Sequence, residues 1–368
     1  MLTADLEYCL PPELIAQEPV EPRDQSRLMR LRRADGAVGH HQFEELPRLL
    51  RAGDLLVFNN TRVLHARLHG HKESGGRVEA LLLREVSRNL WQALLKPSAR
   101  LQPGVKIRFG NGVITVEAEP VSRSNEVWLL RFNVALDVRA LLPSLGEIPL
   151  PHYIKKTLAD ESRYQTVFAD RSANEQAECD RAALDSAAAP TAGLHFTPAL
   201  FEKLEQRGMR HAFVTLGVGI GTFRPVQSAT LEGHAMHEEE FSVSAPTAQA
   251  INQQRQSGGR VVAVGTTTTR VLESVADDAG CVPAGTGSTS IFIKPGYRFR
   301  CVDALLTNFH LPRSTLLAMV AAFAQNHARH EVANAAAPDG LQMIHSAYAQ
   351  AIEARYRFFS FGDAMLIE

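Results

Sequence analysis

The strongest constraint on how this chain folds is a change of texture near residue 64. From there to about residue 132, short apolar runs follow one another with turn signals between them. They are VEALLL at 78–83, WQALL at 91–95, VKIRF at 105–109, VITVE at 113–117 and VWLLRF at 127–132, punctuated by Gly75-Gly76, Pro103-Gly104 and GNG at 110–112. Strands at that spacing, with GNG as a hairpin turn and no long helical pattern, predict a small antiparallel barrel or sandwich.

The flanking sequence has another rhythm. Phe43, Leu46, Leu49 and Leu50 share one helix face that Gly53 ends, and LLVF at 55–58 reads as a buried strand. From about residue 190, helical and strand patterns alternate, which predicts a largely parallel sheet. Thr197 caps a helix with Pro198 in its first turn and Gly208 at its end. AFVTL at 212–216 is a strand, 246–257 a helix, RVVAV at 260–264 a strand, and 270–277 a helix. Strands at 289–293 and 302–306 then precede a helix from about Arg313 to Ala324. The expected architecture is a discontinuous α/β/α domain with a mostly parallel sheet, residues 1–63 and 151–368, interrupted by an inserted antiparallel β-barrel, residues 64–150.

A length of 368 residues accommodates both units, and 45% hydrophobic with 21% charged residues excludes a disordered chain. With 39 Lys and Arg against 40 Asp and Glu, the net charge of -1 gives no global attraction to nucleic acid, so an RNA partner must meet a local basic patch. The apolar run at 316–323 is too short to span a bilayer. The N-terminus lacks a basic segment before an apolar one, so neither membrane insertion nor export is expected. Cys9, Cys179, Cys281 and Cys301 form no C-x-x-C pair, which fits a reducing, cytoplasmic setting.

Four polar stretches follow predicted strands: NNTR after 55–58, G-x-G-x-G at 217–221, GTTTTR at 265–270 and TNFH at 307–310. Ligands of open α/β sheets bind at the carboxyl ends of strands, so these four loops are expected to line one cleft. Each also has a plain reading: a tight turn for the glycines, a capped helix start for GTTTTR. The dinucleotide fingerprint fails because Pro225 follows where a helix must begin. His234, His237 and Glu239 have no obvious third metal ligand beside them, and a polar surface or acid–base work are the alternatives to metal. His195 stands just before a helix start, where a structural and a catalytic imidazole are equally at home. His65, His69 and His71 read as a solvated basic strand face. Arg62, Arg67, Lys72 and Arg77, with Lys155 and Lys156, are the candidate RNA patch, against the alternative of an ordinary solvated surface.

LPPELIAQEPVEPRDQSRL at 10–28, GDLLVFNNTRV at 53–63, AAPTAGLHFT at 188–197, GTFRPV at 221–226, HAMHEEEF at 234–241, VGTTTTRVLES at 264–274, VDALLTNFHLPRSTLL at 302–317 and YRFFSFGDAML at 356–366, in this order, closely resemble the S-adenosylmethionine:tRNA ribosyltransferase-isomerase family of queuosine biosynthesis. The resemblance implies an α/β domain carrying a β-barrel. It implies an enzyme that moves the ribosyl part of S-adenosylmethionine onto 7-aminomethyl-7-deazaguanine at the tRNA wobble position, giving epoxyqueuosine, adenine and methionine. S-adenosylmethionine is then a co-substrate, and since its sulfonium supplies the activation no metal is implied. A monomer is expected.

On that resemblance the base is sought among His195, His237, Glu239, Asp303 and His310. His195 or Glu239 is the first choice, with His237 beside them. Thr266, Thr267, Arg270, Asn308 and His310 are expected to hold the co-substrate. The chain departs from the family pattern at Gly217 in TLGVG, at Lys294 in IKPG and at Thr268-Thr269, and carries apparent insertions near 172–186 and 327–344. Other readings are a paralogue with a shifted substrate, a methyltransferase using the same co-substrate, and a non-catalytic RNA-binding module.

If Arg62, Arg67, Lys72 and Arg77 contact phosphates, each replacement by Ala should flatten the dependence of log tRNA affinity on log salt by roughly 0.7 to 0.9. An unchanged slope in the fourfold variant places the patch elsewhere.

Overall fold

The computed structural model describes residues 1–99, 101–110, 112–169, 185–219, 225–325 and 339–368. Strands β1 (Arg27–Leu31) and β2 (Val38–Gln42) form a hairpin, and the short helix α1 (Leu46–Leu49) leads into β3 (Leu55–Asn59), every residue of which is buried. A two-residue strand, β4 (Arg62–Val63), passes the chain to β5 (Arg67–Lys72), β6 (Arg77–Ser87), β7 (Leu90–Lys96), β8 (Ile107–Gly110), β9 (Thr115–Ser124) and β10 (Val127–Phe132). These six close into a barrel in the order β10-β7-β6-β5-β8-β9. Closure leaves no free edge, and alternate residues such as Leu68, Ala80, Trp91, Phe109, Ala118 and Leu130 fill the interior.

Helix α2 (Val138–Leu145), capped by the Asp137 side chain, adds Val138, Leu142 and Leu145 to the barrel core. Sequence reading missed this helix because Pro143 stands inside it. Past it, β11 (Asp185–Ser186) runs parallel to β4.

The rest of the chain builds the large sheet. In order come α3 (Pro198–Gln206), β12 (Arg210–Leu216), β13 (Glu239–Val243), α4 (Ala245–Gln256), β14 (Val261–Val264), α5 (Thr266–Val275), β15 (Gly285–Thr289), β16 (Ala304–Asn308), α6 (Thr315–Gln325), α7 (Gly340–Glu353) and β17 (Ala364–Ile367). Nine strands lie in the order β15-β13-β12-β3-β14-β16-β17-β1-β2. The central four, β12-β3-β14-β16, are mutually parallel, while antiparallel pairs dominate the flanks.

Val57, Val261, Ala263 and Leu305 pack toward α4 to α7, and Leu56, Phe58, Val262 and Leu306 pack toward α3. Burial on both faces is why these strands read as unbroken apolar runs. The α/β sheet with an inserted antiparallel barrel is the expected fold.

Some boundaries differ from expectation. The strand expected at 289–293 is Gly285–Thr289, the five residues that pair with Glu239–Val243 of β13. Further on, the buried Glu273 carboxylate accepts the backbone N–H groups of Arg300 (2.7 Å), Cys301 (2.9 Å) and Val302 (2.9 Å) and ties down the loop before β16. The helix expected from 270 starts at Thr266. Strands β1, β2 and β17 were not anticipated, since β1 and β2 join the sheet only through the pairing of β1 with β17, more than 300 residues away, and β17 lies between β16 and β1.

One buried amide holds the carboxyl edge of the central strands. Asn59, at the end of β3, donates from Nδ2 to the Leu216 carbonyl (3.2 Å) and to Thr267 Oγ1 (3.2 Å), while Oδ1 accepts from the N–H groups of Thr61 (3.1 Å) and Leu216 (3.0 Å). All four hydrogen-bonding positions of the amide are filled. Replacing it with the similar-sized Leu strands several buried polar groups, each costing about 1–3 kcal/mol. Asn59→Leu should therefore lose at least about 3 kcal/mol of unfolding free energy in urea titration, and a loss below about 1 kcal/mol contradicts the clamp.

Candidate functional site

Because β12, β3, β14 and β16 run parallel, their following loops meet at one edge of the sheet. A cavity opens there with an empty volume of about 580 Å3, counting its mouth. Val218 after β12, Gly265 to Thr267 after β14, and Thr307 to Leu311 at the end of β16 line it, with Ala189 to Ala192, Tyr153, Phe359 and Ser360 completing the wall. Gly265 turns the chain from β14 into α5 at φ 93°, in the left-handed region that favours glycine. Phe359 holds φ 71° without being glycine, a costly conformation kept at the cavity wall.

The GTTTTR stretch divides its hydroxyls between two tasks. Thr268 and Thr269 donate back to the carbonyls of Val264 (2.8 Å) and Gly265 (3.1 Å), and both are fully buried. Thr266 and Thr267 face the cavity, and Thr267 is the residue held by Asn59.

His195 is buried behind the cavity wall. Its ring stacks on Phe43 at 4.8 Å between centroids, Nδ1 lies 2.7 Å from Ser26 Oγ, and Nε2 lies 3.1 Å from Asn308 Nδ2. The Asn308 amide also donates to the Phe359 carbonyl (3.1 Å), which fixes which end of that side chain is nitrogen. Nε2 of His195 is therefore an acceptor, and Nδ1 carries the hydrogen that Ser26 receives. Burial, with Arg357 and Arg23 nearby, pushes this imidazole down to about 3, so the ring is neutral. His310 is likewise pushed down to about 3 by burial, but it lines the cavity, with Nε2 2.8 Å from Thr307 Oγ1.

A second, larger cleft with an empty volume of about 1920 Å3 lies between the barrel and the sheet. Arg84, Trp91 and Arg139 line one side; Gly217 to Gly219 and His237 to Glu240 line the other. Ion pairs from Arg84 to Glu240 and from Arg139 to Asp185 cross it. Val218 borders both cleft and cavity. Glu239 is buried at this junction: Oε1 accepts the Gly219 N–H at 3.0 Å, and Oε2 pairs with the buried Arg270 Nη1. The Nε and Nη2 atoms of Arg270 have no hydrogen-bond partner among the described residues.

The expected site residues thus separate. Thr266, Thr267, Asn308 and His310 meet in the cavity, Glu239 and His237 border the cleft, Arg270 stands behind Glu239, and His195 backs Asn308. Asp303 is at the opposite edge of the sheet, accepting the Val261 N–H at the start of β14 (2.8 Å), because it precedes β16 rather than following it. Gly217 donates its N–H to the Glu240 carbonyl (3.0 Å), so the chain leaving β12 stays paired with the antiparallel β13; residues 220–224 of the glycine-rich stretch lie outside the described residues. Lys294 pairs with Glu232 (3.5 Å), away from the cavity lining.

Among the described residues no group of three or more His, Cys, Asp or Glu comes together to hold a metal. Arg67 lies 3.9 Å from Glu79 across the β5–β6 hairpin, whereas Lys72 and Arg77 flank its tip. No helix among the described residues is long and apolar enough to cross a membrane.

Sequence reading missed Ser26, Tyr153 and Phe359: Ser26 and Phe359 lie inside the family-matching blocks 10–28 and 356–366, but no chemical pattern singles them out there. Only the fold carries 26 and 359 to the end of β16.

A model of the family described as queuosine biosynthesis protein matches residues 3–367. Relatives named S-adenosylmethionine:tRNA ribosyltransferase-isomerase are 47% identical in Thermoanaerobacter sp. (strain X514), 48% in Symbiobacterium thermophilum and 46% in Geobacter metallireducens, each pairing covering 100% of both chains. The crystal structure of an S-adenosylmethionine tRNA ribosyltransferase from Thermotoga maritima is 36% identical, covers 99% of this chain and 100% of its own, and superposes with a TM-score of 0.53. Similarity of that extent from end to end means that this chain belongs to the queuosine biosynthesis protein family, whose members include the S-adenosylmethionine:tRNA ribosyltransferase-isomerases.

Proposed function

We propose that this chain transfers and isomerises the ribosyl part of S-adenosylmethionine onto 7-aminomethyl-7-deazaguanine at the wobble position of tRNA, leaving epoxyqueuosine and releasing adenine and methionine. The observation that carries the reading is the full-length match, at 46–48% identity, to relatives named for that activity. A fold alone would not set the reaction.

The geometry supports a division of labour. The co-substrate's nucleoside lies in the cavity, with Thr266 and Thr267 beside its hydroxyls. The modified nucleoside of tRNA enters the larger cleft, where Glu238, Glu239 and Glu240 favour a cationic primary amine. Arg62, Arg67, Lys72 and Arg77 contact tRNA phosphates, and the work is done in the cytoplasm, by a monomer. The sulfonium of the co-substrate acidifies the neighbouring 5′ carbon, so the reading calls on no resident metal.

The base must border the space where that carbon lies. His195 serves this poorly, because its one lone pair is taken by Asn308. Glu239 and His310, on either side of Val218, border that space and are the groups that move protons there. Arg270 pairs with Glu239 and fixes the direction of its side chain.

Incubation with S-adenosylmethionine and tRNA bearing the 7-aminomethyl base should release adenine and yield epoxyqueuosine by mass spectrometry; folded protein that gives neither product ends this reading. In single-turnover assays with saturating tRNA, His310→Gln and Glu239→Gln are compared. The residue acting as base should slow the step by 10²- to 10⁴-fold, and if neither slows it tenfold the base lies elsewhere.

A further inference from the structure

The cavity and the cleft differ in a way that decides which part of the co-substrate each accepts. Among the residues lining the cavity there is no Asp, Glu, Lys or Arg, and its one imidazole, His310, is neutral. Moving an unpaired charge into such a space is costly. S-adenosylmethionine carries a sulfonium, an ammonium and a carboxylate, all at its methionine end; its adenine is flat and uncharged. Tyr153, Phe309 and Phe359 give the cavity the aromatic and apolar walls that a purine needs.

Within that wall one polar atom has nothing to bond. Asn308 is 2% exposed, its Nδ2 is committed to His195 Nε2 and to the Phe359 carbonyl, and its Oδ1 is buried without a hydrogen-bond partner among the described residues. Buried acceptors are rarely left so in native proteins unless a ligand or water completes them. The amide cannot reverse, since its oxygen would then face the Phe359 carbonyl oxygen. Asn308 is among the residues that line the cavity, so a hydrogen-bond donor from an uncharged ring held there would complete this acceptor.

We propose, resting on the functional reading above, that this cavity takes the adenine of S-adenosylmethionine, that Asn308 Oδ1 accepts a hydrogen bond from the 6-amino group, and that His195 is the positioning residue that holds the amide in this sense. A 6-oxo purine presents an acceptor at the same place and meets the Asn308 oxygen unfavourably. The site therefore selects the amino over the oxo base, as sites with a committed polar group reject analogues that leave it unpaired.

The test is equilibrium titration of the full chain, without tRNA, with S-adenosylmethionine and its 6-oxo analogue S-inosylmethionine. Wild type should bind the amino compound at least roughly tenfold more tightly. Asn308→Ala and His195→Leu should bring the two affinities within about threefold, a tenfold ratio being about 1.4 kcal/mol. His195→Gln, which keeps an acceptor for Asn308 and a donor for Ser26, should retain the preference; a purely structural role for His195 predicts no such rescue.

Equal affinities in the wild type, a preference that survives Asn308→Ala, or failure to bind either compound overturns the proposal. Adenine release in the tRNA assay, measured separately, decides the functional reading whichever way the titration falls.

Discussion

The Asn59 amide is the interaction on which the site depends. Parallel strands bring their carboxyl ends to one edge by topology, but topology does not fix the loops beyond those ends against one another. Asn59 does so by spending all four of its hydrogen-bonding positions on three separate segments: its own turn at Thr61, the end of β12 at Leu216, and the start of α5 at Thr267. Its neighbour Asn60 adds a bond from Thr215 Oγ1 at 2.7 Å. A fully satisfied buried amide specifies one arrangement, because any shift of the loops leaves polar groups unpaired in an apolar surrounding.

A second polar network sits two strands away, across β14, and serves a different end. Ser26, His195, Asn308 and the Phe359 carbonyl form a chain in which each donor and acceptor has a fixed sense. Ser26 precedes β1, His195 precedes α3, Asn308 ends β16 and Phe359 precedes β17, so four distant parts of the sequence agree on the orientation of one amide. A neutral imidazole is required for this, since a second ring hydrogen would oppose the Asn308 donor. Burial supplies that neutrality.

The electrostatic contrast across Val218 follows from where the barrel is inserted. The barrel leaves β4 and returns beside β11, and Arg84 of β6 meets Glu240 of β13 on the antiparallel flank of the sheet while Arg139 of α2 meets Asp185 of β11. Charge therefore gathers in the wide cleft between the two units. The cavity inside the α/β unit is walled by residues of the same apolar strands and loops that make its core.

Much of this was legible in the sequence. The barrel was visible because alternating strands and turn residues leave a period-two pattern, and the parallel sheet because its strands, buried on both faces, read as apolar runs. The four polar loops were predicted to line one cleft; β12, β3, β14 and β16 do end side by side, and three of the loops reach the cavity, while NNTR supports it from behind through Asn59. Individual roles were not legible. His195 and Glu239 looked alike as candidate bases, yet one has its lone pair held by Asn308 and the other is paired with Arg270. Asp303 precedes the parallel strand β16 and so lies at the far edge of the sheet, whereas Glu239 opens the antiparallel β13 and so lies at the carboxyl edge.

The sequence by itself determined the local and periodic properties, namely the barrel strands, the central strands of the sheet and most of its helices, and which family the chain resembles, because these depend on residues near one another or on order along the chain. Tertiary structure alone decided that Asn308 Oδ1 is left unpaired at an uncharged cavity and that His195 stands behind it. The direction of a buried hydrogen bond is set by partners 51 to 169 residues apart, and no local pattern records which of them will meet.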